Sequence, residues 1–321
     1  MTLNASWISL LLSVLSLGLT PAAFAQNFPV KPIRILIGGG TDVVVRVLGT
    51  KLTEAWGQQI VVDNRPGAGG TIAAEIAAQS PPDGYTLLLA APTFAMNAAW
   101  RTTSYDHVKD FSAVVQIASL TPFILVVHPS LPVRSVQDLI ALAKSRPGEL
   151  NFSSSQSGGP THLSAELFKH MARIDIVHVP YKGVTNAILG VITGEVQLMF
   201  PVAPPTLPHI KSGKLRALAV TTPKRTRIAP ELPTVAESGL PGYEVTGWNG
   251  LVAPAGTPKF VVAKINAEVL RLLKQTDIQK ALETNGFQAA SHNTPEQFGE
   301  FIKREIEKWA KLIKESGTRI H

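Results

Sequence analysis

The chain of 321 residues contains no cysteine, which excludes disulfide bonds and zinc sites built on thiolates. It also lacks three common catalytic spacings: the nucleophile elbow G-x-S-x-G, the metal pair H-E-x-x-H and the phosphate loop G-x-x-x-x-G-K-[ST]. The eight histidines are dispersed along the chain. These absences argue against a serine hydrolase, a metalloenzyme and a nucleoside triphosphatase. We therefore expect a protein that is not an enzyme, with no catalytic residues, no metal and no cofactor.

The first 25 residues have the pattern of a secretory signal. An apolar run from Trp7 to Leu19 precedes Ala23-Phe24-Ala25, a small-x-small cleavage site. The leader has no Lys or Arg, which departs from the usual pattern. The apolar run is short for a membrane span, although an uncleaved anchor is the alternative. We predict export and cleavage after Ala25.

About 295 residues follow the leader, and this length favours two domains over one. They carry the whole formal net charge of +7. The densest basic cluster, Lys224, Arg225 and Arg227, lies between prolines and has no interleaved aromatic residues. Single-stranded nucleic-acid sites combine basic grooves with aromatic side chains. We interpret the cluster as a solvated surface and expect no nucleic-acid partner.

Short β-branched runs alternate with helical stretches from Lys31 onward. The strand-like runs are KPIRILI, QQIVVDN, GYTLLLA, FILVVHP, LNFSSS, DIVHVP, VQLMFP and LRALAVT. This alternation predicts an α/β protein whose parallel sheets are covered by helices on both faces. No low-complexity linker is present, so two domains would be joined by ordered crossing strands, near residues 121–127 and 248–253.

The C-terminal segment is predicted to be mostly helical. Thr257 is the predicted N-cap of one helix, with Pro258 in the first helical position. Thr294 and Gln297 have the spacing of a capping box for a second helix, which ends at Gly317. Apolar residues follow at helical spacing in both. We interpret these helices as packing elements without chemistry.

Glycine and serine loops recur between a predicted strand and a helix. They are GGGT at residues 38–41, SSSQSGGPT at residues 153–161 and KG at residues 182–183. Such loops expose free N–H groups at a helix N-terminus, where an anion binds favourably. Each one alone is commonly a turn, but several in both halves of the chain favour a convergent anion site. Between two domains that site would be a closing cleft.

A further glycine-rich stretch, NRPGAGG at residues 64–70, also follows a strand-like run. Four residues, Asp63 to Pro66, separate the run from the first glycine, and Ile72 stands where a dinucleotide fingerprint needs a third glycine or alanine. A nucleotide site is therefore not supported. The stretch either contacts a small anion or forms the turn that positions one.

Several motifs in one order resemble the extracytoplasmic solute receptors of tripartite tricarboxylate transporters, the Bug or TctC-type family. They are GGGTDVVVRVL, VVDNRPGAGGTIAAE, PPDGYTLLL, HVPYKGVTNAI, GKLRALAVTT and LPTVAESGLPGYEVTGWNGLVAPAGTP. The resemblance runs from Pro32 to Gly317. It implies a type II periplasmic binding protein fold, with two α/β domains, a ligand cleft between them and crossing strands as the hinge. Domain one would comprise residues 26–121 and 250–321, and domain two residues 122–249.

The resemblance also implies a site and its partners. Members of the family hold small organic carboxylates through backbone amides and hydroxyl groups, and they deliver them to a membrane permease. The ligand-binding residues that it implies are Gly39, Gly40, Thr41, Thr93, Asn97, Ser154, Ser155, Gly158, Thr161, Lys182 and Gly183. We expect a periplasmic, monomeric receptor. A ligand sensor for a signalling partner is the alternative, and an exported enzyme on the same fold is a more distant one.

Two departures from the family pattern bear on the ligand. The family usually inserts a P-F-x-P-like segment between the first strand and its glycines, whereas here Ile37 is followed directly by Gly38. Pro201 stands where many relatives carry Asp. An Asp side chain can accept a hydrogen bond from an amino group and Pro cannot. The sequence therefore favours a ligand without an α-amino group.

Overall fold

Two β-sheets organise the chain in the computed structural model, which describes residues 28–38, 42–291 and 293–316. Strand and helix numbers follow the chain. The first sheet holds β1 (Ile33–Ile37), β2 (Ile60–Asn64), β3 (Thr86–Ala90), β4 (Phe111–Pro122), β10 (Thr246–Pro254) and β11 (Gln288–Ala289). The second sheet holds β5 (Ile124–Val127), β6 (Asn151–Ser154), β7 (Val177–Pro180), β8 (Leu198–Met199) and β9 (Arg216–Val220). Each of the eight strand-like runs contains a strand, as predicted.

Helices connect most of these strands and cover the sheets. They are α1 (Val43–Trp56), α2 (Thr71–Ala78), α3 (Pro92–Trp100), α4 (Val136–Ser145), α5 (Pro160–Ala172), α6 (Val184–Ile192), α7 (Ala203–Lys211), α8 (Lys259–Leu273), α9 (Thr276–Thr284) and α10 (Pro295–Ser316). In the described part of the chain, none of them is both long enough and apolar enough to cross a membrane.

Both sheets are mixed, so the prediction of parallel sheets is only partly right. The order of the first sheet is β11-β4-β10-β3-β1-β2, and that of the second is β7-β6-β8-β5-β9. Most of the paired strands that helices connect are parallel, as in β1 with β2 and β3, and in β6 with β7 and β8. Strands β10 and β5 are antiparallel to both of their neighbours. Each of them enters its sheet from the other sheet, so no crossover helix sets its direction.

The chain changes sheets at two adjacent points. Only Phe123 separates β4 from β5, and Val245 directly precedes β10. Thr221 joins the two crossings, because its hydroxyl lies 2.7 Å from the carbonyl oxygen of Val245 and 3.1 Å from the amide nitrogen of Phe123. Its own amide donates to the carbonyl of Phe123 at 3.0 Å. The domain boundaries after residue 121 and before residue 250 remain a prediction.

The C-terminal helices pack on the first sheet as the apolar spacing predicts. Helix α10 packs against α3 and β4 and also contacts α5, which follows β6 of the second sheet. Its Trp309 is 1% exposed. Its capping box is confirmed. The backbone N–H of Gln297 donates to the Thr294 hydroxyl at 3.2 Å, and the backbone N–H of Thr294 donates to Gln297 Oε1 at 3.0 Å. The predicted end at Gly317 lies outside the described residues.

The predicted N-cap of helix α8 is wrong by one residue. The helix begins at Lys259, and Pro258 is its N-cap with no side-chain hydrogen bond. Thr257 is buried, and its hydroxyl donates to the carbonyl of Pro254 at 2.8 Å. The hydroxyl is thus used in the turn after β10 and does not reach the first turn of the helix.

Candidate functional site

The loop after β6 brings together four of the predicted site residues. The Ser155 amide donates to the Thr161 hydroxyl at 3.0 Å, and the two hydroxyl oxygens lie 3.1 Å apart. Gly158 has a φ of +70°, and its amide donates to Nδ1 of His162 at 2.9 Å. No side chain caps the N-terminus of α5. The loop is therefore held by its own hydrogen bonds, while the first helical turn keeps N–H groups available to a ligand.

The loop after β7 lies directly beside it. The Gly183 amide donates to the carbonyl of Ser155 at 3.0 Å, and the Tyr181 amide donates to the carbonyl of Ser154 at 2.9 Å. Gly183 has a φ of +90°, and a Cβ built on it meets nothing within 4 Å. Lys182 is exposed. These bonds place Ser154, Ser155 and Gly183 together at the carboxyl ends of β6 and β7. Lys182 adjoins them in the chain, Gly158 lies in the loop after β6, and Thr161 lies in the first turn of α5.

On the side of the first sheet, Thr93 and Asn97 lie on helix α3, which follows β3. Asn97 is 4% exposed, and its Nδ2 donates to the carbonyl of Gly69 at 2.9 Å. Both side chains line a cavity of about 20 Å³ together with Gly38, Gly69 and Tyr105. That volume holds no more than a water molecule. The Asn97 side chain therefore fixes the glycine segment, in addition to any contact with a ligand.

The NRPGAGG stretch forms a backbone support for the first glycine loop. Its residues Gly67, Ala68, Gly69 and Gly70 all have positive φ, at 131°, 47°, 67° and 97°. Gly70 packs against Gly38 so closely that a Cβ on Gly38 would lie 2.6 Å from both the Cα and the carbonyl oxygen of Gly70. This geometry favours the second of the two interpretations, a turn that positions the loop before it. Of that loop, the predicted contacts Gly39, Gly40 and Thr41 lie outside the described residues.

The two groups of site residues belong to different sheets and approach each other through their helices. Helix α3, which carries Thr93 and Asn97, contacts helix α5, which carries Thr161. Strands β3 and β6 both end at loops that lead into these helices. Helix N-termini without a side-chain cap, hydroxyl groups and glycine backbone are thus present on both sheets, and the two helices α3 and α5 that carry some of them are in contact. Groups of this kind suit the binding of a small anion.

The pair Ser154 and His178 has the distance of a nucleophile and its base, with Oγ and Nε2 2.7 Å apart. Its environment does not suit that role. Ser154 is 0% exposed, and its hydroxyl donates to the carbonyl of Gln156 at 3.0 Å. Because a hydroxyl has one proton, His178 Nε2 must donate to Ser154 and cannot act as its base. Burial, together with the nearby His162, lowers the pKa of His178 to about 4. The pair is a structural support for the loop.

A stack of aromatic rings holds these histidines beneath the loop. The rings of His162 and His178 are 3.8 Å apart, and the ring of Phe152 lies 5.0 Å from that of His178. The carboxylate of Glu166 lies 3.6 Å from His162 Nε2. Within the described ranges, no three His, Asp or Glu side chains are grouped so that they could hold a metal ion.

Three side chains beside Asn97 were not singled out from the sequence: Trp100, Arg101 and Tyr105. Tyr105 lines the same small cavity, and burial raises its pKa to about 12. The Arg101 guanidinium lies 4.1 Å from the centre of the Trp100 ring. The spacing of four residues between Asn97 and Arg101 is the signal that could have indicated a shared helix face.

Comparison with known proteins agrees with this geometry. The sequence profile of the family described as "Tripartite tricarboxylate transporter family receptor" matches residues 44–318. The chain is 34% identical to the protein BugT of Bordetella pertussis over 310 residues, which cover 94% of each chain. It is 36% identical over 302 residues to a Pseudomonas protein encoded in the tcbD-tcbE intergenic region, covering 92% of this chain and 89% of that one.

Solved structures match over nearly the whole described chain. A Rhodopseudomonas palustris protein solved with adipate is 37% identical, with a TM-score of 0.80, and the match covers 90% of this chain and 98% of that one. The protein MatC of the same organism, solved with bound malate, is 30% identical with a TM-score of 0.77, covering 89% and 100%. The fold is therefore that of a type II periplasmic binding protein.

Proposed function

The chain belongs to the tripartite tricarboxylate transporter receptor family, and on this basis we propose that it is a periplasmic receptor for a small organic carboxylate. The observation that carries the proposal is the bonded pair of loops after β6 and β7, together with the contact between helices α3 and α5, which carry predicted ligand contacts from the two sheets. The relatives solved with adipate and malate support a carboxylate as the ligand. We further propose that it delivers the ligand to a tripartite tricarboxylate-type permease, which the description of the family supports.

The predicted contacts divide between the two halves, which suits a receptor that closes on its ligand. Thr93 and Asn97, with Gly39, Gly40 and Thr41, would bind from domain one. Ser155, Gly158, Thr161, Lys182 and Gly183 would bind from domain two, and the fully buried Ser154, first predicted as a contact, would hold their loop in place. A ligand that bridges both halves stabilises the closed form, because only that form makes both sets of contacts. The crossings joined by Thr221 are the proposed hinge.

The class of ligand is narrowed by Pro201, which is buried and whose carbonyl accepts the amide of Ile124 at 2.9 Å. This position offers no carboxylate to an ammonium group. We therefore propose that the ligand is a carboxylate without an α-amino group. We also propose that the protein is exported to the periplasm, that its leader is cleaved after Ala25, and that it is monomeric.

The test is a thermal-shift and calorimetric screen of the protein purified after export. The panel pairs succinate with aspartate and glutarate with glutamate, and adds malate, adipate, tricarboxylates, sugars and phosphate esters. A ligand at 100 times its dissociation constant raises the free energy of unfolding by about 2.7 kcal/mol. We expect stabilisation by carboxylates alone, with each dicarboxylate binding more tightly than its amino acid partner.

Two outcomes would contradict the proposal in different ways. Stabilisation by sugars or phosphate esters and by no carboxylate would refute the ligand class. Tighter binding of aspartate or glutamate than of succinate or glutarate would refute the role given to Pro201 and leave the receptor function standing. A signalling role predicts the same ligand binding, and it is distinguished by whether transport of the ligand into cells stops when the receptor gene is deleted.

A further inference from the structure

Arg101 is the C-cap of helix α3 and lies one turn beyond the predicted ligand contact Asn97. Thr93, Asn97 and Arg101 are spaced four residues apart, and the Arg101 amide donates to the carbonyl of Asn97 at 2.8 Å. A Cβ built on Gly69 would lie 3.5 Å from Asn97 Oδ1 and 3.8 Å from Arg101 Nε. Both side chains therefore face the same glycine backbone, which supports the first glycine loop through Gly70.

The guanidinium of Arg101 has no hydrogen-bond or ion-pair partner in the part of the chain that the structure describes. It forms no ion pair, and its Nε is buried without a hydrogen bond. Arg216, which is also partly buried, instead donates to the carbonyls of Leu131 and Val133 at 2.9 Å. A buried donor without an acceptor is destabilising, so the unsatisfied Nε of this partly exposed arginine requires a reason.

The surroundings hold the guanidinium ready for an anion. It lies 4.1 Å from the centre of the Trp100 ring, and stacking on a ring face leaves the N–H groups in the guanidinium plane free to donate. The charges of Glu75 and Arg101 both act on Tyr105, but the Glu75 carboxylate accepts a hydrogen bond from Ser104 at 2.6 Å, and no ion pair joins it to Arg101 within the described residues. A planar donor fork of this kind binds a carboxylate through two parallel hydrogen bonds.

We propose that Arg101 binds the second carboxylate of a dicarboxylate ligand and so selects dicarboxylates over monocarboxylates. The inference rests on the proposed function, because the first carboxylate is taken to bind the glycine and serine loops. Asn97 and Arg101 are one helical turn apart, about 6 Å along the helix axis, so the second carboxylate would lie beyond the contacts of Thr93 and Asn97.

The experiment compares Arg101→Gln with the wild-type protein in isothermal titration calorimetry. The ligands are succinate, malate and adipate, each matched with the monocarboxylate that lacks one carboxyl group. Arg304→Gln is the control, because Arg304 is an exposed residue of α10 and its substitution removes the same charge. Arg101→Lys keeps the charge and removes the planar fork.

We expect Arg101→Gln to weaken the best dicarboxylate at least tenfold and its monocarboxylate less than twofold. Arg101→Lys should be intermediate, and Arg304→Gln should bind as wild type does. Because the Arg101 guanidinium forms no hydrogen bond or ion pair in the described part of the protein and only stacks on Trp100, the unliganded variant should melt close to the wild-type temperature. A lower melting temperature, with equal losses for both ligand classes, would show a purely structural role and overturn the inference.

The remaining outcomes separate this inference from the proposed function. If the wild-type protein binds a dicarboxylate and Arg101→Gln binds it equally well, the inference is wrong and the receptor function stands. If the wild-type protein binds none of the acids, the proposed function fails and this inference fails with it.

Discussion

Replacement of Gly38 by Ala tests whether the two glycine segments pack as one unit at the site. The new Cβ would lie 2.6 Å from the Cα and the carbonyl oxygen of Gly70 and 3.0 Å from its carbonyl carbon. All three atoms belong to the backbone, so no side-chain rotation relieves the contact. Gly38 does not have a positive φ, and the substitution itself therefore adds no backbone strain. The whole effect comes from the displacement of one glycine segment by the other.

The size of the effect follows from that displacement. Overpacking of this kind lowers the free energy of unfolding by about 1–3 kcal/mol. The predicted ligand contacts Gly39, Gly40 and Thr41 follow Gly38 directly, so the same movement shifts them from the ligand. We expect the dissociation constant for the best carboxylate to rise tenfold or more, a loss of about 1.4 kcal/mol in binding free energy.

Urea unfolding and calorimetric titration measure the two effects. Gly49→Ala is the matched control: Gly49 lies inside helix α1, and a Cβ there would be 3.5 Å from Ile60, an ordinary contact. We expect Gly49→Ala to be neutral or to stabilise by up to about 1 kcal/mol. A Gly38→Ala variant with the stability and the affinity of wild type would refute the close packing of the two segments.

Two further predictions concern the hinge and the buried histidines. Thr221→Val removes the hydroxyl bonded to the backbone of Phe123 and Val245, so urea unfolding should show a loss of about 1–3 kcal/mol, while Thr193→Val on the surface should show little. Burial lowers the pKa of His107 and of His178 to about 4 from 6.5, so the unfolded chain takes up protons first as the pH falls. The free energy of unfolding should therefore decrease as the pH is lowered from 6.5 to 4. An unchanged free energy of unfolding across that pH range would contradict the burial of neutral imidazoles.

Local patterns in the sequence were sufficient to predict eight of the strands in the described residues and the C-terminal helices. Runs such as KPIRILI and LNFSSS form strands because their β-branched and aromatic residues pack in sheets, and the Thr294 and Gln297 box forms from groups three residues apart. The N-cap of α8 was misplaced by one residue, because the Thr257 hydroxyl had an acceptor in the preceding turn that the pattern could not reveal.

Contacts between distant segments were beyond local patterns. The antiparallel insertion of β10 and β5 depends on how the chain enters each sheet from the other. The sequence indicated Ser154, Thr161 and Gly183 as loop residues, but it did not reveal that the loops bond to each other. Nor did it single out Arg101. The significance of Arg101 lies in its position beside Asn97 and Gly69 and in its buried Nε, which has no hydrogen-bond partner among the described residues.

The sequence by itself determined the α/β class, the small-residue loops at helix N-termini and the family resemblance, since these depend on residue type and spacing along the chain. The tertiary structure alone decided the direction of the inserted strands and the packing of Gly38 on Gly70. It also decided that the Arg101 guanidinium lies over the ring of Trp100 while its Nε has no hydrogen-bond partner among the described residues. The physical reason is range: hydrophobic periodicity and capping act over a few residues, whereas hydrogen-bond satisfaction and close packing depend on which distant segments meet.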